Sequence, residues 1–185
     1  MATMIAKSSD VIGFLKSQHE DVKAAFSAVL NTRGKERERA FFELRRLLAV
    51  HETAEEEIVH PAARRAFPDG NEVVEARLLE EKAAKKALAE IERLDVDSSA
   101  FDVRIRKLHK DVLAHAEAEE QEEFSELSGE LDHDRLARMR KAVEIAEAVA
   151  PTRPHAGVES ATANLIAGPF ASMVDRARDA LTTKR

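Results

Sequence analysis

Residues 51–61 read HETAEEEIVHP, and they lie in a long segment whose apolar side chains recur every three or four positions. His51 and Glu55 are four residues apart, so they lie one turn along the same helical face. Leu44 and Leu48 precede them on that face. A polar pair on an otherwise apolar helical stripe is the main feature of this sequence.

A second pair has the same spacing. The sequence HAEAE places His115 and Glu119 four residues apart, in line with the apolar Leu108 and Val112. Near the N-terminus, His19 also lies on an apolar stripe. Ionisable groups in a core are costly unless they pair or bind a metal, so a shared metal is the simplest explanation of the whole set.

The 3.6-residue period predicts five helices, separated by short polar breaks or by Pro and Gly. Their predicted bounds are 10–31, 35–66, 71–94, 100–128 and 132–149. Because short connections favour antiparallel neighbours, the first four helices are expected to form an all-α, up-down-up-down four-helix bundle, and the fifth helix follows it.

The chain divides into three predicted parts. Residues 1–9 are expected to be a flexible N-terminus, and residues 10–150 hold the bundle and the fifth helix. Residues 151–185 are expected to form a Pro-containing linker and an amphipathic helical tail. The tail would fit a homodimer or a monomer on which it folds back, and the sequence leaves both open.

Composition excludes several classes of site. The 185 residues contain no Cys, so any metal must be bound by His, Asp or Glu. Asp+Glu number 35 against 29 Lys+Arg, which gives a net charge of −6 and argues against nucleic acid as a partner. No segment has the apolar length of a membrane span or a secretory signal, so we expect a cytoplasmic protein without a membrane partner.

Periodicity also selects one residue of the third helix. The apolar stripe that includes Val74, Leu78 and Leu88 is centred closer to Glu81 than to Lys82, which is expected to reach toward water along the flank. The predicted inward metal ligands are therefore His19, His51, Glu55, Glu81, His115 and Glu119. Imidazoles and carboxylates together suit iron, manganese or zinc.

The order of these residues resembles the hemerythrin-like, or HHE cation-binding, domain over about residues 10–150. The sequences QHE at 18–20, HETAEEE at 51–57 followed by His60-Pro61, and HAEAEE at 115–120 before Phe124 carry the resemblance. The segment APTRPH at 150–155 also resembles the C-terminal extension of actinobacterial members. The resemblance implies two iron ions joined by an oxo or hydroxo bridge, with manganese as a possible substitute, reacting with dioxygen or hydrogen peroxide.

The sequence departs from the family pattern at two positions. Glu80-Glu81 occupies the place where the family usually has a Glu-His pair, which puts reversible oxygen carriage in doubt and suggests oxidase or peroxidase character. His60 stands where the family commonly has Tyr before the proline. In a regular helix His60 points about 180° away from His51, so we expect it on the surface or outside the metal's direct ligands.

The remaining histidines and acids are weaker candidates. Glu122 shares the ligand stripe one turn after Glu119, and it could be an extra ligand, a proton relay or a solvated residue. His109 is expected at a helix flank, and His133 and His155 at the surface. Four acids fall off the stripe and are expected to be solvated or to accept hydrogen bonds from the histidines. These are Glu56, Glu57, Glu120 and Glu123.

Three functions remain open from the sequence. The first is a redox enzyme that is catalase-like, peroxidase-like or a ferroxidase. The second is a protein that binds or senses iron, dioxygen or nitric oxide without turnover. The third is a metal-poor helical interaction module, in which the inward His and Glu residues form buried ion pairs.

Overall fold

The computed structural model describes residues 9–150, and this part of the chain is helical without a β-strand. Its segments are α1 Val11–Asn31, α2 Gly34–Ala54, a first π-turn Glu55–Val59, α3 His60–Ala66, α4 Gly70–Ile91, α5 Ser99–Ala118, a second π-turn Glu119–Glu123, α6 Phe124–Glu130 and α7 His133–Val149. The predicted tail at 151–185, with its linker, lies outside the described residues.

These segments form four long rods and one additional helix, as the sequence predicts. The rods are α1, then α2 to α3 through the first π-turn, then α4, then α5 to α6 through the second π-turn. Polar side chains cap three helix starts. Asp10 accepts a hydrogen bond from Gly13 N, Ser98 from Phe101 N and Asp132 from Arg135 N.

The core consists of two apolar clusters with a polar layer between them. Along α1 the first cluster, with Leu15, precedes the polar layer, and the second cluster, with Phe26, follows it. Along the second rod the order is reversed, since Leu48 of the second cluster comes before Val59 of the first. The same alternation on α4 and α5–α6 confirms the up-down-up-down four-helix bundle, and all four rods cross the polar layer.

Helix α7 packs against α1, α2 and the first π-turn. It adds Leu136, Met139 and Val143 to the first apolar cluster. Gln18 of α1 donates a hydrogen bond to Glu147 of α7 at 2.6 Å. Over the range 9–150, no helix has the length and apolarity needed to cross a membrane.

The two π-turns are the main local departure from regular helices. His60 N donates to Glu55 O, and Phe124 N donates to Glu119 O, so each turn contains an extra residue. Pro61 explains the first turn in part, because it lacks an N–H and in a regular helix its ring would clash with the carbonyl four residues earlier. Each extra residue rotates all following side chains by about 100°.

Arg37 closes the end of the bundle that is far from α7, where its fully buried side chain joins three segments. Its Nε donates to Val29 O at 2.9 Å, its Nη1 donates to Val96 O at 2.7 Å, and its Nη2 contacts Asp102. Sequence periodicity gave no reason to place an arginine in the core.

Replacing Arg37 by Met is expected to lower the free energy of unfolding by about 2–4 kcal/mol, because two buried carbonyls lose their donors. The measurement is urea unfolding followed by circular dichroism. Arg33→Met is the matched control, since Arg33 is exposed and lies 3.4 Å from the same Asp102. The control is expected to stay within about 0.5 kcal/mol of the wild type. Equal losses for the two variants would contradict this role of Arg37.

Candidate metal centre

All six predicted ligand residues meet in the polar layer. Each of the four rods contributes at least one of them, and five of the six are buried. His115 is the exception, with 13% of its side chain exposed. Lys82, the alternative to Glu81 on α4, is exposed, so the predicted register of that helix is confirmed.

The first group of potential ligand atoms comes from three rods. His19, His51, Glu55 and Glu119 each offer an atom within 4.8 Å of the others. The closest approaches are 3.3 Å from His51 Nε2 to Glu55 Oε2 and 3.4 Å from His19 Nε2 to Glu119 Oε2. Two imidazoles and two carboxylates thus face one point.

The second group shares a member with the first. Glu81, His115 and Glu119 also offer atoms within 4.8 Å of one another. His115 Nε2 lies 3.3 Å from Glu119 Oε1, whereas His19 approaches Oε2 of the same carboxylate. The two oxygens of Glu119 therefore face the two groups, which is the arrangement of a carboxylate able to bridge two metal ions.

The outer nitrogens of the three histidines are all hydrogen bonded. At 2.8 Å in each case, Nδ1 of His19 contacts Glu120, Nδ1 of His51 contacts Gln18 and Nδ1 of His115 contacts Glu80. Because these partners are carboxylate or amide oxygens, Nδ1 is the donor and Nε2 is the nitrogen that faces the centre. Metal-binding histidines usually have such outer partners.

Most of the inward atoms of the site, by contrast, lack hydrogen-bond partners although they are buried. They are Nε2 of His19 and of His115, both carboxylate oxygens of Glu55 and of Glu119, Oε2 of Glu81 and Oε2 of Glu123. Buried polar atoms without partners are rare and costly, so their concentration at one point requires an explanation. The donor set and its orientation fit divalent or trivalent metal ions.

The pKa shifts of these residues show the same need for positive charge. Burial raises the pKa of Glu55 well above its usual range, and the nearby Glu119 raises it further. Burial also disfavours the charged form of His115, but Glu119 and Glu80 outweigh it and hold the pKa of His115 well above its usual value. In the same way, His115 and His19 outweigh burial at Glu119 and hold its pKa well below the usual range. The crowded carboxylates thus favour protons on Glu55 and His115, whereas burial lowers the pKa of His51 to about 3.

His60 and Glu123 lie in the polar layer, although the sequence analysis predicted neither of them as a metal ligand. The first π-turn rotates His60 to within about 80° of the His51 face, and its side chain is only 2% exposed. The expectation of a surface position for His60 is therefore wrong. The second π-turn brings Glu123 into the layer and rotates Glu122 out, leaving 56% of the Glu122 side chain exposed. His60, Glu119 and Glu123 form a third group of atoms within 4.8 Å of one another.

A buried lysine lies beside the centre. Lys85 Nζ contacts Glu56 and lies 3.8 Å from Glu52 and 3.7 Å from Glu81. Burial raises the pKa of Glu52 to about 8 and that of Glu56 to about 7, even though Lys85 favours the ionised forms. Glu56 is buried beside Lys85, so the expectation that it is solvated is wrong. Pro61, which indicates the first π-turn, was the only sequence signal for these changes in residue position.

The other expectations have mixed outcomes. Glu120 and Glu123 accept hydrogen bonds from His19 and His60, which confirms the predicted acceptor role for these two acids. His109 is half-buried and stacks on Phe26 with ring centroids 4.7 Å apart, away from the three groups. His133 is exposed, as predicted, and Glu57 is half-buried. His155 lies outside the described residues.

A small cavity opens onto the first group. Its volume is sufficient for a ligand with one or two heavy atoms. Its lining combines His19, His51 and Glu119 with apolar side chains. The apolar members include Val22, Leu48 and Val112. The cavity therefore adjoins the inward nitrogens and oxygens of the first group.

Comparisons with known proteins agree with this geometry. The family model of the hemerythrin HHE cation binding domain matches residues 10–127. A crystal structure of a hemerythrin HHE cation binding domain-containing protein from Mycobacterium kansasii is similar in fold, with a TM-score of 0.66 and 17% sequence identity. The similarity covers 75% of this chain and 85% of the other. The search of curated proteins gives no match. Since the family model spans more than half of the sequence, the chain belongs to the hemerythrin HHE cation-binding domain family.

Proposed function

We propose that this protein holds two iron ions in the polar layer and reacts through them with dioxygen or hydrogen peroxide. The observation that supports it best is the set of buried inward atoms without hydrogen-bond partners, which is divided into two groups sharing Glu119. The proposed ligands are the six predicted residues. Manganese would also suit this carboxylate-rich set.

The roles of the chain's own groups follow from their positions. His19, His51 and Glu55 would hold one ion, Glu81 and His115 the other, and Glu119 would bridge them. Gln18, Glu80 and Glu120 fix the orientation of the imidazole rings through Nδ1. When bound, an iron pair supplies redox chemistry toward small oxygen species.

Access to the centre is limited by the cavity. Val22, Leu48 and Val112 form apolar walls, which exclude large or charged substrates and favour dioxygen, hydrogen peroxide or nitric oxide. Glutamate in place of the family's usual third-helix histidine adds negative charge, which stabilises ferric iron and favours oxidation over reversible oxygen binding. We therefore place peroxide turnover ahead of oxygen carriage.

The test begins with metal-free protein loaded with ferrous iron without oxygen. We expect about two iron ions per chain, near-ultraviolet absorption bands on oxidation, and release of oxygen from hydrogen peroxide over many turnovers. Stoichiometric and reversible oxygen binding would instead identify a carrier or sensor. A chain that takes up no metal would be a helical interaction module.

A pair of histidine variants checks the location of the site. His51→Ala is expected to lower the iron content to about one ion per chain or less, because it removes an imidazole from the first group. His109→Ala, which removes a half-buried histidine outside the groups, is expected to keep the wild-type iron content. Plasma emission spectrometry gives the metal content of both variants. Equal iron contents in the two variants would show that the metal binds elsewhere.

A further inference from the structure

His60 has the same two-sided arrangement as the three predicted histidine ligands. Its Nε2 lies 2.7 Å from Oε1 of Glu81, a carboxylate of the second group, and its Nδ1 lies 2.9 Å from Oε1 of Glu123. His19, His51 and His115 likewise direct Nε2 to a carboxylate of the centre and Nδ1 to an outer oxygen. The pattern thus occurs four times in the polar layer.

The distances suit two ligands on one metal ion. Ligands at right angles with metal bonds of about 2.1 Å lie about 3 Å apart, and opposite ligands lie about 4.2 Å apart. The distance of 2.7 Å from Nε2 of His60 to Oε1 of Glu81 is close to the value for ligands at right angles. His60 also offers an atom within 4.8 Å of Glu119, the carboxylate shared by all groups. A metal ion beside Glu119 and Glu81 would therefore lie within reach of His60.

The second group is short of ligands without His60. It contains one imidazole, His115, whereas the first group contains two. Glu81 is the residue that α4 contributes to this group, and His60 enters the layer next to Glu81 from the neighbouring rod.

We propose that His60 is a direct ligand of the second metal ion, beside Glu81 and Glu119, and that Glu123 orients its ring by accepting a hydrogen bond from Nδ1. This inference rests on the proposed two-metal function. With His60 as a ligand, the site has four imidazoles, two for each ion. The first π-turn then has a role, because a regular helix would direct His60 away from the centre.

The test compares the metal affinity of three proteins loaded with ferrous iron in competition with a chelator. His60→Gln keeps groups that can hydrogen bond to Glu81 and Glu123 but replaces the imidazole with a poor ligand. We expect this variant to bind the second ion more than about 100-fold more weakly, so that about one ion per chain remains. Glu123→Gln should lower the affinity for the second ion by about 10–100-fold, which is typical of the loss of a residue that hydrogen bonds to a metal ligand.

The outcomes separate this inference from the function on which it rests. Wild-type protein that binds no iron would overturn both. Two ions in the wild type with unchanged affinity in His60→Gln would overturn the ligand role of His60 and leave the proposed function intact. If His60→Gln fails to fold, the crystal structure of the iron-loaded wild type decides. A bond of about 2.1 Å between iron and a His60 nitrogen supports the proposal, and a separation above about 3 Å overturns it.

Discussion

Replacing Glu119 by Gln is expected to abolish the binding of both metal ions. Glu119 is the member common to all three groups of ligand atoms, and its two oxygens face His19 of α1 and His115 of α5. An amide has one oxygen instead of two and carries no charge, so it can neither bridge two ions nor balance their charge. Metal analysis after iron loading should show less than about one-tenth of the wild-type content.

Glu122→Gln is the matched control for this variant. Glu122 lies three residues later on the same rod, and a regular helix would place it on the ligand stripe. The second π-turn leaves its side chain 56% exposed, 3.5 Å from Arg77. We therefore expect wild-type iron content in Glu122→Gln. A large loss of iron in this variant, with retention in Glu119→Gln, would show that the rod continues as a regular helix.

Removing the metal is expected to lower the melting temperature by at least about 10 °C. A ligand present at a thousand times its dissociation constant stabilises the folded state by about 4 kcal/mol, and two ions would contribute separately. For a protein of this size, 1 kcal/mol corresponds to about 2–4 °C. Without metal, the buried carboxylates of the three groups, Glu55, Glu81, Glu119 and Glu123, are balanced only by protons and by Lys85 beside Glu81. Thermal unfolding with and without chelator gives the difference.

The Glu119→Gln variant provides the comparison for this experiment. Because it should bind no metal, chelator is expected to leave its melting temperature unchanged. It should melt below the metal-free wild type, because the charge of Glu119 that balances His115 and His19 has been removed. An identical effect of chelator on both proteins would mean that the metal contributes to stability from another place in the molecule.

The sequence predicted the main part of the candidate site because helical periodicity is reliable over regular segments. His19, His51, Glu55, Glu81, His115 and Glu119 all reach the polar layer, as the stripe positions require. Each of these residues precedes the π-turn of its rod, begins it, or lies on a rod without one. The choice of Glu81 over Lys82 succeeded for the same reason, because α4 is regular from Gly70 to Ile91.

The expectations fail beyond the π-turns. His60 was placed away from the centre, and Glu122 was given the stripe position that Glu123 occupies. Both errors have one cause, since a single extra residue in a turn rotates the following side chains by about 100°. Pro61 is a signal for the first π-turn. The second has no comparable residue, and the acidic run from Glu119 to Glu123 is compatible with a regular helix.

The amino-acid sequence by itself determined the four rods, their antiparallel order and the polar residues on their inner faces. These features depend on local spacing and short connections, which a one-dimensional pattern contains. Only the tertiary structure decided that His60 and Glu123 join the layer, that Glu119 is shared, and that Lys85 and Arg37 are buried. Their positions depend on widened turns and on partners distant in sequence, because a buried charge is stable only where the fold supplies its counterpart.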